Sequence, residues 1–193
     1  MKQRIDSFSN MTDGFSVISS KELKELQSDW INSLSHREKR CFKKYRNSTN
    51  NNVNVRIRRA EKKGKDYPAD AEYMVKALRR ASVPKDILVY RYMAKKENSL
   101  LNDKKIGDVI TFPEFKGTHV KPAINIKKHK CGGYLIIKIP KGAEASYIND
   151  VTLWHRPEKE LLINMRYSFV IEDILSYGHK IPKIYIVKLL LKE

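Results

Sequence analysis

The sequence predicts an α+β protein whose helices come first and whose strands follow. Three observations carry that expectation. Apolar residues recur at helical spacing up to about position 82; from Ile87 they gather in short β-branched and aromatic runs; and Pro84 marks the change between the two regimes. The 193 residues fit one domain, 1–193, with a helical region at 1–83 and a β core at 84–193. That length buries a core without disulfide staples.

Each element has its own signal. Ser20 reads as the N-cap of a first helix that carries Leu23, Leu26, Trp30 and Leu34 on one face. Ser35 and Glu38 form a capping box that opens a second helix, running to about Arg46. Asn47 to Asn52 contains only Asn, Ser and Thr and reads as a loop. A third helix fits Val53 to about Gly64, with Val53, Ile57 and Ala60 inward and Gly64 as its stop. A fourth fits Asp70 to Ala81, with Met74, Ala77, Leu78 and Ala81 apolar; Pro84 blocks further helix. Strands are expected at Ile87–Met93, Asp108–Phe112, Tyr134–Ile139, Ala145–Ile148, Leu161–Ile171 and Ile184–Leu191. Turns fall at Gly107-Asp108, Gly132-Gly133 and Lys141-Gly142, which makes the β core mostly antiparallel.

Composition excludes several classes. Hydrophobic content is 41% and charged content 32%, as in a globular protein. No apolar run approaches the ~18 residues of a membrane span. Met1 to Thr12 is polar and shows no secretory signal, so the expected location is cytoplasmic by default, with signal-less export or phage delivery also compatible. Cys41 and Cys131 read as free thiols, and no two of the five histidines are four apart, so no metal is expected. The 39 basic and 22 acidic side chains leave a net charge of +17. The segment Arg37 to Lys65 holds 12 basic residues against Glu38 and Glu61. Such a segment is either a solvated helix surface or a contact for a polyanion, whether nucleic acid or an acidic protein face.

Three sets of residues carry chemistry. Arg91 stands inside an apolar strand and requires a partner there. Glu158 and Glu160, two apart at a strand start, share a face, where their repulsion raises a pKa or demands a cation. Asn54 and Arg58, four apart, share a helix face.

In order and context these residues resemble the arginine–serine–glutamate class of mono-ADP-ribosyltransferases: bacterial exoenzymes, the catalytic parts of actin-modifying binary toxins, and related phage enzymes. The matching stretches are Tyr45, then Asn54 and Arg58; Tyr90-Arg91; Pro140-Lys141-Gly142 with Ala145-Ser146-Tyr147-Ile148; and Glu158-Lys159-Glu160-Leu161-Leu162. The likeness covers about Leu34 to Leu190. It implies a helical region beside a two-sheet β core, with NAD as substrate and a target protein as acceptor. By resemblance Glu160 stabilises the ribose cation. Glu158 in the first position goes with arginine acceptors. Arg91 holds the NAD diphosphate, with Arg58, Asn54, Tyr45, Phe115 and Thr118 as further NAD contacts. There is one departure. Where the family has an aromatic, one residue, then Ser-Thr-Ser, this chain has Phe115-Lys116-Gly117-Thr118-His119. The first serine is Gly117, so Thr118 or a water would take its place. Otherwise the fold serves as a basic module for nucleic acid or an acidic protein. NAD hydrolysis without an acceptor is a third possibility.

Overall fold

The computed structural model describes residues 13–47, 52–122, 132–152, 159–176 and 183–192. Helices α1 (Ser20–Leu26), α2 (Ser28–Ser33), α3 (His36–Asn47), α4 (Val53–Lys63) and α5 (Ala69–Arg79) precede most of the sheet. Short helices α6 (Lys95–Asn98) and α7 (Asn149–Thr152) interrupt the strand region. The strands are β1 (Ser16–Val17), β2 (Ile87–Met93), β3 (Val109–Phe112), β4 (Lys116–His119), β5 (Gly133–Ile139), β6 (Ala145–Tyr147), β7 (Glu160–Ile163), β8 (Tyr167–Leu175) and β9 (Ile184–Leu189). This is the expected α+β arrangement.

The helix signals act through identifiable caps. In the Ser35/Glu38 box, Glu38 N donates to Ser35 Oγ and Ser35 N donates to Glu38 Oε2 at 2.8 Å. Asn52 caps α4 by accepting from Val55 N, and Gly64 ends it at φ 58°. The first helix differs from expectation. Its cap is Ser19, whose hydroxyl accepts from Glu22 N, and the helix stops at Gln27 before α2 begins. Leu26, expected on the apolar face, is exposed.

Gln27 supplies the reason for that break. Strand β6 lies at the end of the sheet and would leave one edge unpaired. Gln27 Nε2 donates to Ala145 O at 3.0 Å, and its Oε1 accepts from Tyr147 N at 2.9 Å and from Ser146 Oγ. A side-chain amide thus replaces the missing strand, and turning it toward β6 interrupts the helix. The same contact anchors the helical region to the sheet.

Hydrogen-bonded neighbours run β3-β8-β9-β5-β2-β4-β7-β6, with β1 beside β2. The β1–β2 and β5–β9 pairs are parallel and the rest antiparallel. Between β2 and β4 the register holds one pair, Tyr90 with His119. The sheet therefore divides there into two blocks that share an apolar core: Val89, Leu135, Ile137, Phe169 and Val187 meet Ala145, Tyr147, Leu161 and Ile163. The helices cover the opposite face of β4 and β7, where Trp30, Phe42, Ile57 and Met74 pack on Phe115 and Leu162.

Two strand expectations need correction. Leu161–Ile171 is not one strand but β7 and β8, separated by a turn at Asn164–Arg166 in which Arg166 has φ 59°. No Gly or Pro marks that turn; the Asn164 side chain builds it, accepting from Met165 N and donating to Glu144 Oε2. Strand β4 was not expected at all, because Lys-Gly-Thr-His has little β propensity and is held by its neighbours. The loop expected at 47–52 lies largely outside the described residues, as does Cys131, while Cys41 is a free, buried thiol. Among the described residues no helix is long and apolar enough to cross a membrane.

Gln27→Ala should lower stability by about 2–4 kcal/mol in urea unfolding, because it strands a buried carbonyl and a buried N–H on β6. A loss below about 0.5 kcal/mol would mean that water caps the edge equally well.

Candidate active site

Strand alternation decides which side chains meet. In β7, Leu161 and Ile163 face the core between the blocks, so Glu160 and Leu162 face the helices. In β4, Gly117 pairs with Leu162 and His119 with Glu160, which puts positions 117, 119 and 160 on that same face. Helix α3 carries Tyr45 and Arg46 in its last turn.

Glu160 is clamped there. Tyr45 Oη donates to its Oε1 at 3.3 Å, and Arg46 Nε lies 3.4 Å from its Oε2. The Arg46 and Glu160 side chains are only 5% and 15% exposed. Asn149 Oδ1, at the start of α7, accepts from Glu160 N and from Arg46 Nη1, each at 3.1 Å. Burial, and then the Glu160 charge, push the Tyr45 phenol well above its ordinary pKa, so it remains a donor. Its ring stands edge-on to Phe115.

Arg91 reaches the same strand from β2. Its Nη1 donates to Gly117 O at 2.6 Å, while Nε and Nη2 form a fork on Glu97 at 3.1 and 3.0 Å. Glu97 also accepts from Lys116 Nζ at 2.7 Å; Lys116 reaches Glu114 at 3.0 Å, and Glu114 accepts from Arg58 at 3.2 Å. Burial works against the charges of Arg91, Glu97 and Lys116. Even so, Arg91 and Lys116 hold the Glu97 carboxyl down at about 2. Glu97 in turn raises the Arg91 pKa above its ordinary value. Burial dominates at Lys116, whose pKa is lowered.

The expected residues thus fall into groups. Tyr45, Arg91 and Glu160 converge on Gly117. Asn54 donates to Phe115 O at 2.9 Å and Arg58 bonds Glu114, so both brace the start of β4. Thr118 is 1% exposed, pairs with Leu161 on the opposite face from Glu160, and gives its hydroxyl to Leu161 O. Phe115 is 1% exposed and packs edge-on against Tyr45. Glu158 lies outside the described residues.

Arg46, Asn149, Glu97, Lys116 and Glu114 were not anticipated. Arg46 had a usable signal, since it follows Tyr45 at the end of the same helix. Glu97 was implied only as the unnamed partner that a strand-buried arginine needs.

Residues 23–193 match the ADP-ribosyltransferase exoenzyme family, and the chain belongs to that family. Several solved structures share the fold. The ADP-ribosylating toxin of a binary enterotoxin of C. perfringens, solved with NADH, has a TM-score of 0.70 at 21% identity over 89% of this chain and 47% of its own. An ADP-ribosyltransferase toxin from Paenibacillus larvae has a TM-score of 0.72 at 19% identity, covering 89% and 94%. An ADP-ribosyltransferase from Clostridium botulinum has a TM-score of 0.72 at 15% identity, covering 91% and 98%. The chain therefore spans about half of the C. perfringens toxin and nearly all of the other two. No curated protein sequence matches significantly.

The buried fork predicts an acid-dependent stability. Because the folded pKa of Glu97 lies below its ordinary 4.5, its contribution is complete above about 4.5 and is lost as pH falls through about 2. The difference corresponds to about 3 kcal/mol. Urea unfolding at several pH values should show Glu97→Gln destabilised at pH 7 by roughly that amount, with the gap closing toward pH 2. Parallel pH profiles for the two proteins would contradict it.

Proposed function

We propose that this protein is an NAD-dependent mono-ADP-ribosyltransferase whose acceptor is an arginine side chain of a target protein. Family membership and fold support ADP-ribosyl transfer. The observation that carries the reading to this site is the charged Glu160, clamped beside Gly117 within reach of the strand that Arg91 grips.

The residues present suit NAD as a substrate. A guanidinium has five N–H donors, and Arg91 uses three on Glu97 and Gly117, which leaves one hydrogen on each Nη for a phosphate oxygen. Asn54 Oδ1 is buried without a hydrogen-bond partner among the described residues, and so offers an acceptor at the base of β4. Arg91 then serves both as a brace for β4 and as the diphosphate contact.

The chemistry follows from charge. The bond between nicotinamide and ribose breaks with its electron pair leaving on the nicotinamide. Positive charge builds on the ribose, where the fixed Glu160 carboxylate stabilises it. A guanidinium nitrogen of the acceptor forms the new bond to the ribose and gives up a proton to Glu158. The Glu158-x-Glu160 spacing supports arginine as the acceptor, by likeness to the enzymes this sequence resembles. The exposed Arg40, Lys43, Arg59, Lys62 and Lys63 on α3 and α4 flank the helices that carry Tyr45 and Asn54, and they suit an acidic surface on the target.

A second reading is favoured by Gly117: a basic binding module on the same fold. Incubation with NAD separates the two. The transferase reading expects nicotinamide release, lost by about 10²–10³-fold in Glu160→Gln, as when a transition-state charge partner is removed. Glu158→Gln should keep NAD hydrolysis but lose transfer to a small guanidine acceptor. A parent that releases no nicotinamide, yet is retained on a polyanion column in a salt-dependent way, would support the module instead.

A further inference from the structure

Gly117 is the point on which Glu160, Tyr45 and Arg91 converge. A Cβ built there would lie 2.3 Å from Glu160 Oε1, 3.3 Å from its Cδ and 3.1 Å from Tyr45 Oη. The carboxylate thus occupies the space that any other residue at 117 would fill, and a side chain there and the present Glu160 rotamer exclude each other. From the other side, Arg91 Nη1 holds the Gly117 carbonyl. The adjacent hydroxyl, Thr118 Oγ1, is committed to Leu161 O on the far face. Strand β4 therefore offers Glu160 room but no side-chain donor at position 117.

Resting on the transferase reading, we propose that Tyr45 is the positioning residue for Glu160, and that it replaces from helix α3 the donor that the bare strand at Gly117 lacks. Its hydroxyl fixes Oε1 while Arg46 faces Oε2, so the two oxygens are held by consecutive residues of one helix end. Phe115 sets the Tyr45 ring, and Asn54 fixes the Phe115 backbone, which relays the position of β4 to the phenol. Two donors on different oxygens define its plane. The glycine and the tyrosine are then one device: a residue with a hydroxyl at 117 would displace the carboxylate and supply its own donor, which makes Tyr45 dispensable.

Two measurements on the full chain test this. In steady-state nicotinamide release, Tyr45→Phe should lower kcat by about tenfold or more, the worth of a hydrogen bond to a charged group, with KM for NAD changed by less than about twofold. In the Gly117→Ser background the same Tyr45→Phe change should cost less than about threefold, because the serine hydroxyl now serves Oε1. Equal losses in the two backgrounds, or a Tyr45→Phe loss that appears in KM alone, would overturn the proposal. The second measurement needs no turnover: a urea-unfolding double-mutant cycle of Tyr45→Phe and Glu160→Gln in ligand-free protein. Non-additive effects support the contact and additive effects overturn it. A parent that releases no nicotinamide but shows non-additivity refutes the transferase reading while upholding the Tyr45–Glu160 clamp.

Discussion

A nearly buried carboxylate keeps its charge only where donors surround it, and the clamp on Glu160 is the contact on which the rest of this architecture converges. Its partners come from distant parts of the chain: Tyr45 is 115 positions away and Asn149 is 11. Helix α3 has to lie across β7 for the clamp to close. Gln27 ties the preceding helices to the edge of β6, Trp30 Nε1 bonds Ala77 O, and the Ser35/Glu38 box sets where α3 starts, with Arg80 paired to Glu38. These polar ties are specific in direction. The apolar contacts between them supply most of the burial but would tolerate a shifted helix.

The second constraint lies at the seam of the sheet. Only one register pair, Tyr90 with His119, joins β2 to β4. Across this seam runs an alternating series of charges: Arg58, Glu114, Lys116, Glu97 and Arg91. Lys116 also lies 3.7 Å over the Phe112 ring, so its buried charge has an aromatic face as well as two carboxylates. The buried charges of Glu114, Lys116 and Glu97 are tolerable only because their neighbours are present. Such a network is a directional joint, and it sets β4 at the height where Gly117 meets Glu160. The same Arg91 that closes the seam also holds the Gly117 carbonyl, which couples the sheet's integrity to the position of β4 beside Glu160.

Much of this was legible from the sequence where local chemistry decides structure. The Ser35/Glu38 box, Gly64 at the end of α4, and the β-rich run at Ile87–Met93 all appear where capping and propensity place them. That Arg91 needs a partner also followed from its apolar context; the structure supplies Glu97. Long-range effects were hidden. The break at Gln27 depends on an edge strand more than a hundred residues later, and β4 exists only through its partners. At the site, Gly117 stood out as a loss, since a residue's absence says nothing of what fills the space. That the carboxylate itself fills it, and that a tyrosine on a helix then holds it, is a fact of three-dimensional register. Thr118 was a reasonable substitute in sequence, one position away. One position along a strand turns a side chain to the other face.

The most direct test of the account is a crystal structure of Glu160→Gln with intact NAD. The account predicts the nicotinamide-bearing ribose against residue 160, with Tyr45 still in contact with that side chain and the diphosphate on Arg91. NAD bound elsewhere, or no NAD at millimolar concentration with the fold intact, would contradict it.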